Sequence, residues 1–580
     1  MTEPQAHIYE FGDFRVDAAR RLLLGRDGQP LSLTPKAFDT LLYLVEHREA
    51  VLDKEELLRA IWPDTTVEEN NLNQNISALR RVLGEKRAEH NYIVTVPGRG
   101  YRFVAKVRTR TTRTEAPPAA TVKAIAVLPF MPLVAEHRDP ALELGMADTL
   151  IARLSGIREV VVRPISSVRK YVDVDQNSLA AGQELGVESV LEGSIQRWGD
   201  SIRVTVRLMK VSTGAALWAG TFDEKFTNIF AVQDAIAERV AGALALHLGY
   251  EEKQRLTRRS TENAEAYELY LKGRYHVDRL TPPEMQKGIS YFQQAIAIDP
   301  AYALAYLGLA YTFLRMPLAG EMPSTDFYPK AKAAAQKAIE IDDTLAAAHA
   351  ALGWIMFWYE WNWSEAENQF RRALELDPND ADSHLGYAHL LSNTGRHAEG
   401  LAEVKRAREL DPLNLLSNAL EGQFLLHAGQ TDEALTRLQK TLELEPHFWL
   451  ARLFASSAYI EKGMFAEAAA EAHQARDFSG GSSHAMAFGG CALAKSGKKA
   501  EARGVVDELL KSSSERYIPP YHVALVYNGL GEREQALAWL ERGFEQRDPK
   551  MTFLKVEPKW NNLRDDPRFK DLLRRVGFTQ

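Results

Sequence analysis

The sequence has little of what a secreted or membrane protein needs. Cys491 is the one cysteine in 580 residues, so no disulfide can form within the chain. The longest apolar run, residues 124–135, contains two prolines and falls short of the roughly 20 residues that span a bilayer. The opening MTEPQAHIYEF has no basic stretch followed by an apolar core, so it does not resemble a signal peptide. We therefore expect a cytoplasmic protein.

Motifs for catalysis are also lacking. The sequence contains no phosphate-binding G-x-x-x-x-G-K-S/T loop, no G-x-S-x-G nucleophile turn and no H-E-x-x-H metal site. The stretch from Asp173 to Glu184 matches part of the spacing of a calcium loop, but Ser178 stands where the sharp turn needs glycine. A helix cap explains this stretch better, and burial in an alanine-rich helix explains Cys491 better than reactivity does. We expect no enzyme, no metal and no cofactor.

The net charge of −7 conceals a basic segment. Between Arg80 and Arg110 there are nine basic residues and two acidic ones, Glu85 and Glu89. Such an excess of positive charge is typical of a surface that binds the phosphates of nucleic acid. A basic surface beside a linker is the plainer alternative.

The segment from Val67 to Gly84 is predicted to be one helix. Thr66 and Glu69 fit a capping box at its start, and Gly84 fits the left-handed residue that ends a helix. The apolar side chains fall on one stripe at helical spacing: Leu72, Ile76, Leu79 and Leu83. The opposite face carries amide, hydroxyl and guanidinium groups, centred on Asn70, Gln74, Ser77 and Arg81. Because amides and arginine form paired hydrogen bonds with base edges, this face is a candidate reader of the DNA major groove.

The segments on either side favour the same interpretation. Upstream, LTPKAFDTLLYLVEH places Pro35 in the first turn of an amphipathic helix, and Asp53 and Glu56 cap a second helix. Downstream, residues 91–107 contain two strand-like runs joined at a Pro-Gly-Arg-Gly turn with Arg99 at its tip. Strands, three helices and a basic hairpin in this order predict a winged helix-turn-helix.

Residues 6–107 resemble the OmpR/PhoB-type DNA-binding domain, through YEFGDFRVD, LTPKAFDTLLYLVEH, SALRRVLG and TVPGRGYRF. The resemblance implies a recognition helix in the major groove of double-stranded DNA, a wing at the minor groove, and head-to-tail pairs on direct repeats. It also implies that the loop from Trp62 to Thr66 faces RNA polymerase. The expected DNA-contacting residues are Asn70, Asn73, Gln74, Ser77, Arg80, Arg81, Arg99, Tyr101 and Arg102.

Two features depart from this family. Many members carry arginine where this wing has Pro97, so Arg99 is the expected substitute at the minor groove. The receiver domain that usually precedes the module is not expected, since only a few residues stand before Ile8. CadC- and ToxR-like members also carry a membrane span after the module, and we expect none here.

The next part of the chain is predicted to be a linker followed by a second domain. Residues 108–121 have no apolar period, which is typical of a linker. In residues 122–250 strand-like and helical segments alternate, which predicts a small α/β domain with a mixed sheet. AIAVLPF and VLEGSIQRWGDSIRVTVRLM resemble the TolB N-terminal-like domain, and this resemblance names no reaction.

Residues 260–580 are predicted to form an all-α solenoid with a C-terminal cap. Asp-Pro or Glu-Pro ends amphipathic helices at Pro378, Pro412 and Pro446, a period of 34 residues. About eight units, with phrases such as ALELDPNDADSHLGYAHLL, resemble the tetratricopeptide repeat. Such arrays present a concave face, which we expect to bind a protein or peptide. An aromatic stripe from Trp354 to Trp361 is expected to pack in the core, with a ligand box as the alternative.

The predicted fold is therefore multidomain: an α+β winged helix-turn-helix, a small α/β domain and a tetratricopeptide solenoid. We predict a DNA-binding transcriptional regulator whose solenoid binds a protein partner or senses a signal. The alternative is an enzyme or scaffold whose middle domain binds or converts a small molecule.

Overall fold

The computed structural model describes residues 7–17, 22–25, 30–31, 33–48, 50–61, 69–85, 91–111, 123–132, 138–157, 159–172, 177–244, 246, 259–279 and 281–578. The chain divides into two compact units, Met1–Thr121 and Val122–Gln580. Each unit has a hydrophobic core of its own.

The first unit combines two antiparallel sheets with three helices. The strands are β1 (His7–Phe11), β2 (Phe14–Asp17), β3 (Leu22–Leu24), β4 (Pro30–Leu31), β5 (Leu52–Asp53), β6 (Ile93–Val96), β7 (Gly100–Phe103) and β8 (Arg108–Thr111); the helices are α1 (Pro35–Glu46), α2 (Lys54–Ile61) and α3 (Glu69–Val82). One sheet has the order β4-β3-β2-β1-β8 and the other β5-β7-β6. The order of elements confirms the predicted winged helix-turn-helix.

Local signals position these helices as the sequence predicts. The Thr34 side chain accepts a hydrogen bond from Ala37 N at the start of α1, and Asp53 Oδ1 accepts one from Glu56 N at 2.6 Å in α2. The apolar stripe of α3 is buried, and Gly84 ends the helix with a φ of +71°. The predicted capping residue Thr66 lies outside the described residues.

The predicted linker is wrong at its first four residues. Residues 108–111 form β8, which pairs antiparallel with β1 in a register that places Arg108 opposite Glu10 and Thr111 opposite His7. The backbone N–H and C=O groups of β8 pair with those at the edge of β1. Because this pairing involves only the backbone, it needs no apolar period in the sequence. The rest of the predicted linker lies outside the described residues.

The second unit begins with a mixed sheet and four helices. The strands are β9 (Lys123–Val127), β10 (Met131–Pro132), β11 (Val160–Val162), β12 (Ser189–Trp198), β13 (Ser201–Lys210) and β14 (Ala216–Lys225); the helices are α4 (Pro140–Ser155), α5 (Ile165–Val168), α6 (Ser178–Glu184) and α7 (Ile229–Ala243). β11, β9 and β12 run parallel, whereas β12, β13 and β14 are antiparallel. This confirms the predicted mixed sheet. Asn177 caps α6, in agreement with the predicted helix cap.

Sixteen helices then form eight consecutive pairs within the described part of the chain. They are α8 (Ala264–Val277) with α9 (Pro282–Ile298), α10 (Ala303–Gly320) with α11 (Ser324–Ile341), α12 (Ala346–Ile355) with α13 (Trp363–Leu376), α14 (Ala381–Thr394) with α15 (His397–Leu410), α16 (Leu415–His427) with α17 (Thr431–Leu444), α18 (Trp449–Glu461) with α19 (Phe465–Phe478), α20 (Ser483–Lys495) with α21 (Lys499–Ser512), and α22 (Pro520–Leu530) with α23 (Arg533–Glu545). A π-helical turn, Met356–Glu360, extends α12.

The C-terminal tail, defined as residues 548–578, contains two 3₁₀ turns, Pro549–Phe553 and Pro558–Leu563, and α24 (Pro567–Arg575). It caps the last pair, as predicted, because α24 packs on α23. It also runs back over the first-helix face, the surface formed by the first helices of successive pairs. The Phe553 ring lies 5.6 Å from that of His389 in α14, Lys559 Nζ donates to Ser457 Oγ in α18, and Trp560 Nε1 donates to Tyr521 OH in α22 at 2.9 Å.

The predicted aromatic stripe packs in the core of this assembly. Phe357, Trp358 and Trp361 are at most 5% exposed. The Trp358 ring lies 5.8 Å from the Phe553 ring of the tail, and the Trp361 ring lies 5.3 Å from that of Phe544 in α23. The stripe is thus a packing surface between early and late parts of the solenoid.

Candidate nucleic-acid interface

The outward face of α3 carries the predicted reading residues. Gln74, Ser77 and Arg81 are exposed, while Leu72 and Ile76 on the opposite face are at most 2% exposed. The helix is fixed against α1 by a hydrogen bond from Asn75 Nδ2 to the buried Thr40 Oγ1 at 3.1 Å. The side chain of Asn70 lies outside the described residues, although its backbone is part of α3. The polar face therefore lies on a helix whose other face is packed in the core.

Asn73 and Tyr101 act as a pair. The Tyr101 hydroxyl donates to Asn73 Oδ1 at 2.7 Å, and the Tyr101 ring is 5% exposed within the core. The sequence placed Tyr101 among the DNA contacts, whereas the structure places its ring inside the unit. Its hydroxyl instead sets the orientation of the Asn73 amide. Ser77 Oγ donates to the carbonyl of Asn73 at 2.8 Å, so it also lies close to this pair.

Arg80 joins α3 to the wing. Its guanidinium donates to Ile93 O at 3.0 Å and to Thr95 Oγ1 at 2.8 Å, and its Nε lies 3.6 Å from Glu85 Oε2. Glu85 Oε1 in turn accepts from the backbone N–H of Ile93 at 3.2 Å. Arg80 was predicted to contact DNA, and its described contacts hold the hairpin against the helix.

The wing exposes two arginines. Arg99 lies in the turn between β6 and β7, and Arg102 lies on β7 between the buried Tyr101 and Phe103. Successive side chains of a strand point to opposite faces, so Arg102 points outward. Gly100 is required here because a Cβ would lie 2.0 Å from the carbonyl oxygen of Leu52. The close approach of β5 and β7 thus fixes the base of the wing.

Of the nine predicted site residues, five are exposed: Gln74, Ser77, Arg81, Arg99 and Arg102. Asn73 and Arg80 are half-buried and Tyr101 is buried, so their described roles are internal contacts. Sequence reasoning missed Asn75 and Glu85, which orient α3 and the wing. Neither follows an apolar period or a motif, so only the three-dimensional contacts identify them. The arrangement offers amides, a hydroxyl and cations to a nucleic acid.

Three observations on the described residues concern catalysis, metal binding and membranes. Cys491 is buried, and burial raises the pKa of its thiol to about 11, as expected for a structural residue. The described residues include no group of three or more His, Cys, Asp or Glu side chains placed to hold a metal ion. Among the described helices, none combines the length and the apolar character that crossing a bilayer requires.

Comparison with known families finds matches in three parts of the chain. Residues 28–103 match the family of the transcriptional regulatory protein C-terminal domain. Residues 121–239 match the second domain of HilA/YgeH-like transcriptional regulators, and residues 361–422 and 425–487 match the tetratricopeptide repeat. The resemblance of the middle domain to TolB stays a prediction.

Three relatives show similarity over different lengths. A Rhizobium meliloti protein named as an adenylate cyclase is 31% identical over 248 residues, which is 42% of this chain and 42% of that protein. The transcriptional regulator HilA of Salmonella typhimurium is 26% identical over 407 residues, 68% of this chain and 69% of HilA. The transcriptional activator CadC of Escherichia coli is 34% identical over 85 residues, 14% of this chain and 17% of CadC. The chain is thus a DNA-binding transcriptional regulator with an OmpR/PhoB-type winged-helix domain and a tetratricopeptide repeat region.

Proposed function

We propose that α3 reads base edges in the major groove while the wing contacts the backbone and minor groove. The observation that carries this proposal is the exposed row of Gln74, Ser77 and Arg81 on a helix whose other face is buried. Asparagine, glutamine and arginine are the side chains that pair best with base edges. In this proposal Asn70 and Asn73 join the row, and Tyr101 holds the Asn73 amide in place through its 2.7 Å hydrogen bond.

The arginines have two kinds of role in the same proposal, contact with DNA and positioning of the wing. Arg99 enters the minor groove and Arg102 contacts phosphate, since both are exposed on the wing. Arg80 positions the wing, because its guanidinium already binds the carbonyl of Ile93 and the hydroxyl of Thr95. The predicted contact between residues 62–66 and RNA polymerase falls outside the described residues and rests on the family resemblance.

We propose that a protein partner of the solenoid binds a surface other than the concave face that the sequence analysis predicted for it. The tail covers the first-helix face from α14 to α22, and Met551, Leu554 and Trp560 are fully buried there. Burial of each large apolar side chain contributes about 1.5–3 kcal/mol, so a peptide would have to displace several such contacts. We propose that partners bind the exposed faces of the solenoid.

Two substitutions separate base reading from phosphate contact. Gln74→Ala should cost about 1–3 kcal/mol on the preferred site and little on random DNA. Arg102→Gln should weaken binding to both duplexes alike and reduce the slope of log affinity against log salt by roughly one. The matched control is Arg59→Gln on α2, because Arg59 is 82% exposed and pairs only with Glu55 among the described residues.

Fluorescence titration of the three variants against specific and scrambled duplexes at several salt concentrations provides the test. If Gln74→Ala weakens both duplexes equally and leaves the sequence preference intact, α3 is not the base-reading helix. If Arg59→Gln changes the salt slope as much as Arg102→Gln does, the wing has no special role in phosphate contact.

We further propose that this chain acts by binding and not by catalysis. The relative named as an adenylate cyclase motivates a direct comparison, since a middle domain that turns over a nucleotide is the rival function. Chromatography of ATP incubated with the full chain and magnesium distinguishes the two. Steady formation of a cyclic nucleotide would establish the rival.

A further inference from the structure

The mixed sheet of the second unit ends in a long strand with a free edge. β14 is the last of the 10-residue strands in the order β11-β9-β12-β13-β14, and among the described residues no strand pairs with its outer edge. Edge strands are usually short, or carry charges, proline or bulges that prevent pairing with another chain. Residues 216–222 contain no charge and no proline, and the irregularity in the pairing of β14 with β13 lies at one end, beside Ala216. The edge of β14 is therefore suited to accept a further strand.

A second copy of β14 can supply this strand only in certain registers. In an antiparallel pair, two directly opposite residues both direct their N–H and C=O groups toward the partner strand or both away from it. Along β14 only every second residue directs these groups to the free edge. The strand therefore pairs with its own copy only where odd-numbered residues oppose odd-numbered ones, and a two-fold axis then places one residue opposite itself.

The register with Thr221 opposite itself continues a row of hydroxyl groups. β13 buries Ile202, Val204, Val206 and Leu208 on one face of the sheet and carries Arg203, Thr205 and Arg207 on its open face. On this open face Thr205 lies opposite Ser194 of β12 and opposite Thr221 of β14, with 3.5 Å between the two threonine Oγ1 atoms. Pairing at Thr221 extends the row into the same three residues of the second copy. Hydrogen bonds between hydroxyl side chains of neighbouring strands stabilise a sheet.

The next rows of the open face carry complementary charges in this register. Arg207 lies opposite Glu192, with 3.1 Å from Nε to Oε1, and opposite Ala219 on its other side. Arg203 lies opposite Asp223 and donates to its Oδ2 at 3.0 Å. When Thr221 opposes itself, Ala219 of one copy opposes Asp223 of the other. The row then runs Glu192, Arg207 and Ala219 of one copy, followed by Asp223 and Arg203 of the second copy. The charges alternate across the interface, and the symmetry produces two such rows.

The face of β14 that packs on the helices matches its copy as well. Trp218, Gly220 and Phe222 share this face and are half-buried. In the same register Gly220 opposes Phe222 of the second copy. An aromatic ring on the neighbouring strand covers the backbone that a glycine at an edge leaves exposed. Both faces of β14 are therefore complementary to themselves.

We propose that the chain forms a two-fold symmetric dimer through antiparallel pairing of β14 with β14 of a second copy, with Thr221 at the axis. The sheet continues from one copy into the other, and each copy contributes the same surface. The proposal concerns the second unit and does not depend on how the winged-helix domain reads DNA. Each dimer carries two winged-helix domains, which raises its affinity for DNA with paired half-sites.

Analytical ultracentrifugation of the full chain tests the dimer. The unmodified chain, with a mass of 65.1 kDa, should sediment as a dimer at micromolar concentration. Thr221→Lys places two ammonium groups opposite each other at the axis, so it should raise the dissociation constant at least about tenfold. Thr227→Lys is the matched control and should leave the dimer intact, because Thr227 is exposed in the 3₁₀ turn Phe226–Asn228 after β14.

Two outcomes of sedimentation would overturn the proposal. One is an unmodified chain that stays monomeric throughout the micromolar range, which would leave the edge of β14 to an extended segment of another protein. The other is a correctly folded Thr221→Lys variant that dimerises as tightly as the unmodified chain, which would place the interface elsewhere.

Cross-linking tests the register, and it decides alone if Thr221→Lys fails to fold by circular dichroism. The native Cys491 is buried, so an introduced surface cysteine reacts with little background. A short bismaleimide should join two copies of Thr221→Cys and should not join two copies of Thr227→Cys. Ala219→Cys and Asp223→Cys should cross-link when mixed but not separately, because the two copies of residue 219 lie about 13 Å apart along the strands. Absence of cross-linking in Thr221→Cys would overturn the proposal.

Discussion

Single residues of the wing show how alternation along a strand assigns roles. Tyr101, Arg102 and Phe103 are consecutive in β7, and only Arg102 is exposed. The sequence grouped Tyr101 with Arg102 because both belong to the same family motif. The period of two along the strand separates them, since one points into the core and the other away from it. The roles of Arg80 and Asn73 required the three-dimensional contacts, because their partners lie 13 to 28 residues away.

A buried histidine gives the second unit a defined dependence on pH. His427 has a pKa of about 4 in the folded protein, chiefly because burial disfavours the charged ring, against about 6.5 when unfolded. Below pH 6.5 the unfolded chain takes up a proton that the folded chain refuses. Stability therefore falls as the pH falls from about 6.5 to about 4, by about 3 kcal/mol in total from this group.

Thermal unfolding of the full chain followed by helical circular dichroism measures the effect. Between pH 7 and pH 4.5, His427→Gln should lose less stability than the unmodified chain. His473→Gln is the control, since His473 is 76% exposed and pairs with Asp477 on one helix. Parallel losses in the unmodified chain and in His427→Gln would refute the role of His427.

At the scale of elements, the sequence predicted the helices and repeats that are determined by local patterns of residues. The helices of both units and the period of the solenoid follow from apolar spacing and caps, and the structure confirms them. Three elements were missed: β8, the π-helical turn at Met356–Glu360 and the path of the tail across earlier helices. Each contacts a partner distant in sequence: β1 for β8, residues beyond 540 for the π-helical turn and the residue after it, and the earlier first helices for the tail. Local pattern cannot supply such partners.

Substitution of two glycines in the solenoid helices by alanine should change the stability of the second unit in opposite directions. A Cβ on Gly422 in α16 would lie 2.6 Å from Leu438 Cγ in the paired helix, so Gly422→Ala should destabilise the second unit by about 1–3 kcal/mol through overpacking. A Cβ on Gly504 in α21 would meet nothing within 4 Å, so Gly504→Ala should stabilise it by about 0.5–1 kcal/mol through helix propensity. Melting curves of both variants provide the measurement. A rise in stability for both would show that the two helices are not in close contact at Gly422.

At the scale of the whole molecule, the middle domain and the solenoid share one hydrophobic core. Arg163, 5% exposed, donates to Leu185 O at 2.9 Å within the middle domain and to Glu409 O at 3.3 Å at the end of α15. Asp411, which follows α15 and is fully buried, accepts a hydrogen bond from the hydroxyl of Ser167 in α5 of the middle domain. Removal of either partner would leave a buried polar group unsatisfied, so the two parts are coupled structurally. The domains predicted at 122–250 and 260–580 therefore belong to one compact unit.

The division of the chain into two units leads to a prediction about how DNA binding is regulated. The winged-helix unit has a separate core, so a fragment of residues 1–121 should fold and retain the sequence preference of the full chain. A fragment of residues 1–107 lacks β8 and should be less stable, because β1 then has an unpaired edge. Since a sensing role was predicted for the second unit, only the full chain should change its DNA affinity or promoter activity when a partner or ligand is supplied.

Duplex titration of both fragments and the full chain, together with a promoter reporter under varied growth conditions, decides the matter. We expect the fragment of residues 1–121 to bind the operator with unchanged sequence preference and to give a constant reporter output. The full chain should respond to conditions, because its second unit can bind partners that the fragment lacks. Identical reporter output from fragment and full chain under every condition would show that the second unit does not control DNA binding. Loss of sequence preference in the fragment would instead show that reading the operator requires both units.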